Sequence, residues 1–313
     1  MKYRGFLLVA LICSAPVSVL LAGSEKDFST SSTTAAEAVE EPYKFSADFT
    51  IEQAYIGDAD VARGGREVND FDEYYSNVVF VYTPRIKFGI LRLGAQWERY
   101  SFGFSSSGGQ QLPNTLQAVN SIIGLDTKFS DSILVRFEAQ PGFYGTSFEH
   151  LDGDAFNIPF VLGGTYIYSP ELQFVFGVGV NLQSRIPAFF GGGIRWKFAP
   201  EWVLNAVLPA PRLEYQPNRD LTFFAGANIK ANTFRTDDRF GDRHGDTSLN
   251  NAWLAYEEVR TGVGAEWKLN SSISLTIEGG YVPWRQFDYH RTEVRYHNES
   301  GAPYGAIMLH GAF

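Results

Sequence analysis

Residues 172–182 read LQFVFGVGVNL. Leu172, Phe174, Phe176, Val178, Val180 and Leu182 take alternate positions, with Gln173, Gly177, Gly179 and Asn181 between them. Successive side chains of a strand point to opposite faces, so this stretch has one continuous apolar face and one that is small and polar.

The same alternation recurs along the chain. Leu91, Leu93, Ala95 and Trp97 oppose Arg92, Gln96 and Glu98, and Ile133, Val135 and Phe137 oppose Arg136 and Glu138. Ala188, Phe190, Ile194 and Trp196 oppose Arg195 and Lys197. Val259, Val263, Ala265 and Trp267 oppose Arg260, Glu266 and Lys268, and Ile273, Leu275 and Ile277 oppose Glu278. A soluble sheet with one wet face would also alternate. Three features favour a membrane barrel. The periodic stretches often reach ten residues or more, where about five or six is usual. Glycine and charges of both signs lie opposite the apolar face, as in a lumen. Aromatics such as Tyr82, Tyr168, Trp202 and Trp284 gather at strand ends, where a membrane girdle places them. The expected fold is all-β: a single antiparallel transmembrane β-barrel.

Short turns at 83–85, 129–131, 169–170, 199–201 and 270–271 alternate with long connections near 57–70, 103–114, 145–154, 236–250 and 291–302. This spacing predicts about twelve strands, near 44–57, 71–83, 86–102, 115–128, 131–145, 155–168, 171–184, 187–199, 220–235, 252–269, 272–289 and 302–313. Residues 202–218, WVLNAVLPAPRLEYQPN, are strand-like but broken by Pro209 and Pro211. Bacterial barrels have an even strand number. The segment is therefore either a two-stranded excursion, making fourteen, or non-spanning, leaving twelve. Proline lacks a ladder donor, which favours twelve.

Lys2 and Arg4, an apolar run over Gly5–Leu21 and the small residues Ala22-Gly23-Ser24 read as a secretory leader cleaved after Ser24, with Ala22 the alternative site. The expected organisation is a signal peptide over 1–24, a polar, acidic periplasmic lead-in over 25–42 and a barrel over 43–313. The single cysteine, Cys13, lies in the leader, so the exported chain has no disulfide or thiolate site. Losing Lys2 and Arg4 from 26 basic residues leaves 24 against 35 acidic, a net charge of −11. That balance argues against nucleic acid, which requires a basic footprint.

Ile186-Pro187-Ala188-Phe189-Phe190-Gly191-Gly192-Gly193-Ile194-Arg195-Trp196, then Trp202, then Pro209-Ala210-Pro211-Arg212-Leu213-Glu214-Tyr215 carry a resemblance. The chain resembles an uncharacterised family of bacterial outer-membrane β-barrels, known as a domain of unknown function. The similarity spans roughly 43–313. It implies fold and outer-membrane location, and it brings no catalytic residue or substrate with it.

Function must come from the lumen and the loops. The expected lumen-lining residues are Arg92, Glu98, Arg136, Glu138, Arg195, Lys197, Lys230, Arg260, Glu266, Lys268 and Glu278. Their mixed signs argue against a strongly selective pore, which would show a ring of one sign. The expected function is a narrow passive channel for small polar solutes. The alternatives are a non-conducting structural or surface-binding barrel acting through its outer loops and, ranked below both, a lipid-modifying enzyme using His290 or His297. No catalytic residue and no cofactor is assigned. Asp237, Asp242 and Asp246 in an outer loop are weak candidates for cation ligation, against the plainer reading of a solvated turn. The apolar positions Ile307, Leu309 and Phe313 of the last strand are the expected signal to the barrel-assembly machinery. Outer-membrane lipid is the expected surrounding.

Overall fold

The computed structural model describes residues 46–313 apart from 64–65, 105–110, 148 and 150–152, so the expected leader and lead-in lie outside it. Among those residues the chain forms fourteen barrel strands. They are β1 (Ala47–Arg63), β2 (Arg66–Tyr82), β3 (Gly89–Gly103), β4 (Thr115–Ser130), β5 (Ile133–Ala139 and Gly142–Gly145), β6 (Phe156–Asn157 and Phe160–Ile167) and β7 (Leu172–Val180). Then come β8 (Ala188–Ala199), β9 (Trp202–Val207), β10 (Arg212–Tyr215), β11 (Leu221–Arg235), β12 (Trp253–Lys268), β13 (Ile273–Tyr289) and β14 (Arg295–Asn298 and Ala302–Ala312).

Each strand pairs antiparallel with the next, and β14 returns to β1 from Asp48↔Ala312 to Ile56↔Tyr304. Ala47 and Phe313 complete the closure, each donating its N–H to the other's carbonyl at 3.1 and 2.9 Å. A closed barrel satisfies every strand edge internally, which a strand in hydrocarbon requires. Both ends of the described chain therefore lie at one rim, the near end, and the β1–β2 hairpin at the far end.

The preference for twelve strands is overturned. Residues 202–218 form the short hairpin β9–β10, with Trp202↔Tyr215 and Asn205↔Arg212 in register. The prolines do not break the sheet because they fall in its turn, where only acceptors are needed. The Pro209 and Pro211 carbonyls accept from Ile229 and Ala227 of β11, each at 2.9 Å. The expected long connection over 57–70 is also corrected: β1 and β2 continue through it, past register shifts at Ile56–Ala59 and Ala59–Val61, to Arg63↔Arg66. The connection expected at 291–302 likewise contains paired residues, Arg295–Asn298.

The outer surface of the near half is apolar. Ile51, Val78, Phe80, Leu93, Ile123 and Ile277 are all exposed on it. Leaving such a belt in water would forfeit about 25 cal/mol per Å2 of apolar area, so the belt belongs against lipid. In the far half the pattern reverses. Asp58 is exposed on β1 while Ala59 and Val61 are buried, and Phe71, Tyr100, Phe102, Phe234, Tyr256 and Phe287 pack inside the barrel. The ring pairs Phe71–Phe102 at 5.2 Å, Tyr256–Phe287 at 4.7 Å and Tyr100–Tyr256 at 4.9 Å knit this interior together.

Candidate functional site

The near-half lumen is lined by groups that satisfy one another. Gln96 of β3 donates to Asn77 of β2 at 3.0 Å, and Asn120 of β4 donates to Gln96 at 3.4 Å, a run of amides across three strands. Beside it Arg92 pairs with Glu138 at 3.1 Å. Arg136 grips Asp126 with two bonds of 2.5 Å, the bidentate geometry that suits a guanidinium to a carboxylate. Strand pairing sets these contacts, since Asp126↔Arg136 and Gly124↔Glu138 are register partners on β4 and β5.

On the other side of the lumen the charges are less engaged. Arg195 is half-buried and Lys197 exposed, and neither forms an ion pair among the described residues. Glu266 on β12 is buried, and Lys268, two residues on toward the near rim, is exposed. Arg212 and Glu214 of β10 pair at 2.7 Å.

Between the polar lumen and the aromatic interior lies a layer of charges that crosses the barrel. Lys230 of β11 reaches Glu52 of β1 at 2.8 Å and sits over the Tyr75 ring at 3.8 Å. Arg260 of β12 contacts Glu258 at 2.6 Å and both Glu52 and Glu73 at 3.5 Å. Arg285 of β13 contacts Glu73 at 3.2 Å. Glu98 accepts from Tyr75 at 3.1 Å, Tyr100 at 3.0 Å and Asn232 at 2.8 Å. Tyr256 donates to Glu73, and Tyr304 donates to Glu278. These partners come from β1–β3 and β11–β13, arcs joined through β14, and bonds such as Asn232 to Glu98 and Lys230 to Glu52 cross the interior between them. Charges taken out of water are costly unless paired: Arg260, Glu73 and Glu98 each have several partners here, and Arg285, whose guanidinium makes no hydrogen bond, stands 3.2 Å from Glu73 and 3.9 Å from Glu258.

The layer includes three residues that the alternation argument missed: Glu73, Glu258 and Arg285. Glu73 and Arg285 lie where the aromatic interior begins, and there the outward residues are polar as well. Asp72 and Glu73, or Glu257 and Glu258, are adjacent acidic pairs, so polarity no longer tells one face from the other. A usable signal exists in phase: Glu73 is two and four residues from Tyr75 and Asn77, which share its face.

The 236–252 connection caps the far end. Helix α1 (Phe240–His244) stacks Phe240 on His244 at 4.2 Å, with Phe240 also near Tyr289 at 6.2 Å. The three candidate cation ligands lie here, each engaged separately. Asp237 pairs with Arg243 at 2.6 Å, Asp242 accepts from Asn250 at 3.0 Å, and Asp246 caps the next turn by accepting from the Ser248 N–H at 3.1 Å. The Ser248 hydroxyl bond holds the Asp246 carboxyl below its ordinary range. Among the described residues no three His, Cys, Asp or Glu side chains converge as a cation would require. His290 accepts from Arg291 at 3.3 Å, and burial, with Arg291 second, pushes its pKa down.

On the last strand Ile307 and Phe313 are exposed on the outer face. Phe313 stacks on Phe49 of β1 at 6.0 Å.

Several solved structures align with the chain over most of its length. The COG4313 outer membrane channel from Pseudomonas putida F1 aligns over 88% of this chain and 99% of its own at 6% identity, with a TM-score of 0.48. The monoaromatic hydrocarbon channel TodX, as a deltaS2S3 mutant, aligns over 87% and 91% at 10% identity with a TM-score of 0.49. The NanC porin aligns over 83% and 98% at 12% identity with a TM-score of 0.38. These distances carry nothing about solutes. Comparison with curated proteins by sequence finds no match. One family model covers residues 114–303, well over half the chain: the protein belongs to the family described as a domain of unknown function, DUF6268.

Proposed function

We propose that the protein is a passive channel of the bacterial outer membrane for small polar solutes. The observation that carries this reading is the near-half lumen, where amides and charges of both signs line the inside of a barrel with an apolar outer belt. Eight strands enclose just enough room for their own side chains, and the space grows with strand number. Fourteen strands leave more than side chains need, and the polar lining makes that space a path for water-soluble molecules. Arg92, Arg136, Arg195 and Lys197 against Asp126 and Glu138 give it no ring of one sign, so selectivity between anions and cations is weak. Insertion is guided by the lipid-facing residues of β14, Ile307, Leu309 and Phe313, read by the barrel-assembly machinery.

Planar-bilayer recording of the refolded protein tests the reading. Discrete single-channel steps are expected, with a small conductance and little change in reversal potential under a salt gradient. Complete electrical silence, in protein shown to be folded by its heat-shifted gel mobility, defeats it. Silence would favour a second reading with its own observation: bonds of the charge layer cross the interior below the aromatic cluster, as in a barrel that acts through its outer surface.

A further inference from the structure

The apolar belt ends on a sharp line. On β1–β5 the register partners Ile51, Val78, Trp97, Val119 and Phe143 form one lateral row of outward side chains, all aliphatic or aromatic. The next outward row toward the far end is Gln53, Ser76, Arg99, Gln117 and Gly145, and the bridge Arg235↔Gly145 extends it to Arg235 of β11. These positions face out because their chain neighbours Ala54, Tyr75, Tyr100, Leu116, Tyr144 and Phe234 pack in the interior cluster. One step along the strands therefore separates an apolar row from one that carries two cations and no anion.

Within the second row one pair is satisfied: the Ser76 hydroxyl donates to Gln53 at 2.9 Å. The rest is not. The Nε–H groups of Arg99 and Arg235 and the Oε1 atom of Gln117 are buried without a hydrogen-bond partner, and neither arginine forms an ion pair among the described residues. Gln117 stands between the arginines in register and is only 3% exposed, although it faces out. Gly145 puts no side chain into the interval between Gln117 and Arg235. The Arg235 guanidinium lies over the Trp253 ring at 5.2 Å, which holds the plane of the group and leaves its N–H edge unused. Buried polar groups are ordinarily paired. Paired guanidinium edges match the oxygens of a phosphate, and the Gln117 oxygen can accept from an O–H or N–H beside it.

The height of the row says where such a phosphate comes from. At the near rim strands are joined by turns as short as 131–132 and 200–201, whereas 104–114 and 236–252 join them at the far end. Barrels of this kind keep short turns in the periplasm and longer loops outside, so the far border of the belt meets the outer leaflet. Tyr55 and Tyr74, register partners in the following outward row, are exposed there, as interfacial tyrosines are. A lipid with its chains on the Ile51–Phe143 row carries its headgroup phosphate at the level of Arg99 and Arg235. A dissolved anion would make no use of that apolar row.

We propose that Arg99, Gln117 and Arg235 form a binding site for the phosphorylated headgroup of an outer-leaflet lipid. The two guanidiniums take the phosphate, Gln117 takes a neighbouring donor of the headgroup, and the acyl chains lie against Trp97, Val119 and Phe143. The site rests on the outer-membrane part of the reading above and not on conduction.

The test uses the full chain in detergent, shown to be folded by its heat-shifted gel mobility. Native mass spectrometry compares binding of lipid A, a phosphorylated glucosamine disaccharide lipid, with the same lipid after removal of its phosphates. The native chain is expected to prefer the phosphorylated form by about tenfold or more. That preference should vanish in Arg99→Ala/Arg235→Ala and in Arg99→Gln/Arg235→Gln, which keeps more of the packing. It should persist in Arg85→Ala, which removes an exposed arginine at the near rim. A native chain without the preference, or a folded double variant that keeps it, overturns the site. An equal loss in Arg85→Ala reduces it to general charge and overturns it as well. Full displacement of the lipid by millimolar inorganic phosphate does the same, because the site is then one for a free anion. Insertion into vesicles of phosphatidylethanolamine and phosphatidylglycerol separates the two readings. A folded chain that fails to insert overturns the membrane reading, whereas one that inserts and shows no phosphate preference overturns the lipid site alone.

Discussion

The two halves of this barrel are built from the same strands with opposite patterning. In the near half Thr50 and Glu52 of β1 point inward while Ile51 and Tyr55 face out; beyond the irregularity after Ile56, Ala59 and Val61 are buried and Asp58 is exposed. The surroundings explain the reversal. A wall against lipid gains nothing by hiding apolar groups, so its stability comes from backbone pairing and satisfied polar contacts inside. A wall against water recovers the hydrophobic effect, and the far half folds as a soluble barrel does, around an aromatic core. The charge layer sits at the change, where neither environment alone would accept it.

This contrast predicts how substitutions divide. The largest loss is expected from Phe71→Ala, which empties space among Phe102, Phe104 and Phe287; about 3–5 kcal/mol is expected from urea unfolding in micelles. A loss under about 1 kcal/mol would show that the far half is not a stabilising core. Next, Arg260→Ala strands Glu52, Glu73 and Glu258 in the layer and is expected to cost about 3–5 kcal/mol, somewhat less where water enters. Arg260→Met with Glu258→Leu should recover much of that, and failure to do so would mean that the layer is more than a set of paired charges. On the lipid side Val263→Ala, exposed on β12, should change stability by less than about 1 kcal/mol in the same assay. Phe313→Ala should leave the unfolding midpoint nearly unchanged but slow assembly into outer-membrane vesicles several-fold, measured by the appearance of the heat-shifted band. Equal assembly rates would remove Phe313 from the signal.

The smallest effect concerns the cap. The Asp246 carboxyl is held below its ordinary range by Ser248. A depressed carboxyl contributes stability above its unfolded value, near pH 4, and loses that contribution as pH falls through its lower folded value. Protection of the amides over 240–249, measured as exchange relative to its intrinsic rate at each pH, should therefore fall below about pH 4 in the native chain. In Asp246→Asn that acid step should be absent; an identical step would assign it to another group.

How far the sequence carried depends on which half is considered. The alternation of 91–98, 133–138 and 172–182 was legible because lipid outside and polar lumen inside force strict contrast between neighbours. Far-half strands such as 57–70 read as loops because small, charged and glycine residues there are mixed, and bulges shift the period. The β9–β10 hairpin was legible only as an ambiguity, since prolines in a turn and prolines breaking a strand look the same in one dimension. Arg92, Glu138, Arg195 and Lys230 could be placed on the inner face from period alone. Their partners could not: Glu52 and Lys230 lie 178 residues apart, and only barrel closure brings them together.

By itself, then, the sequence determined the all-β class, the antiparallel order, the apolar belt and the even-numbered closed barrel, because each follows from a local period and the demand that lipid makes on every backbone bond. The tertiary structure alone decided the strand number and the crossing of charges between distant strands. Those depend on which strands stop short and which distant walls face each other, and no local period records either.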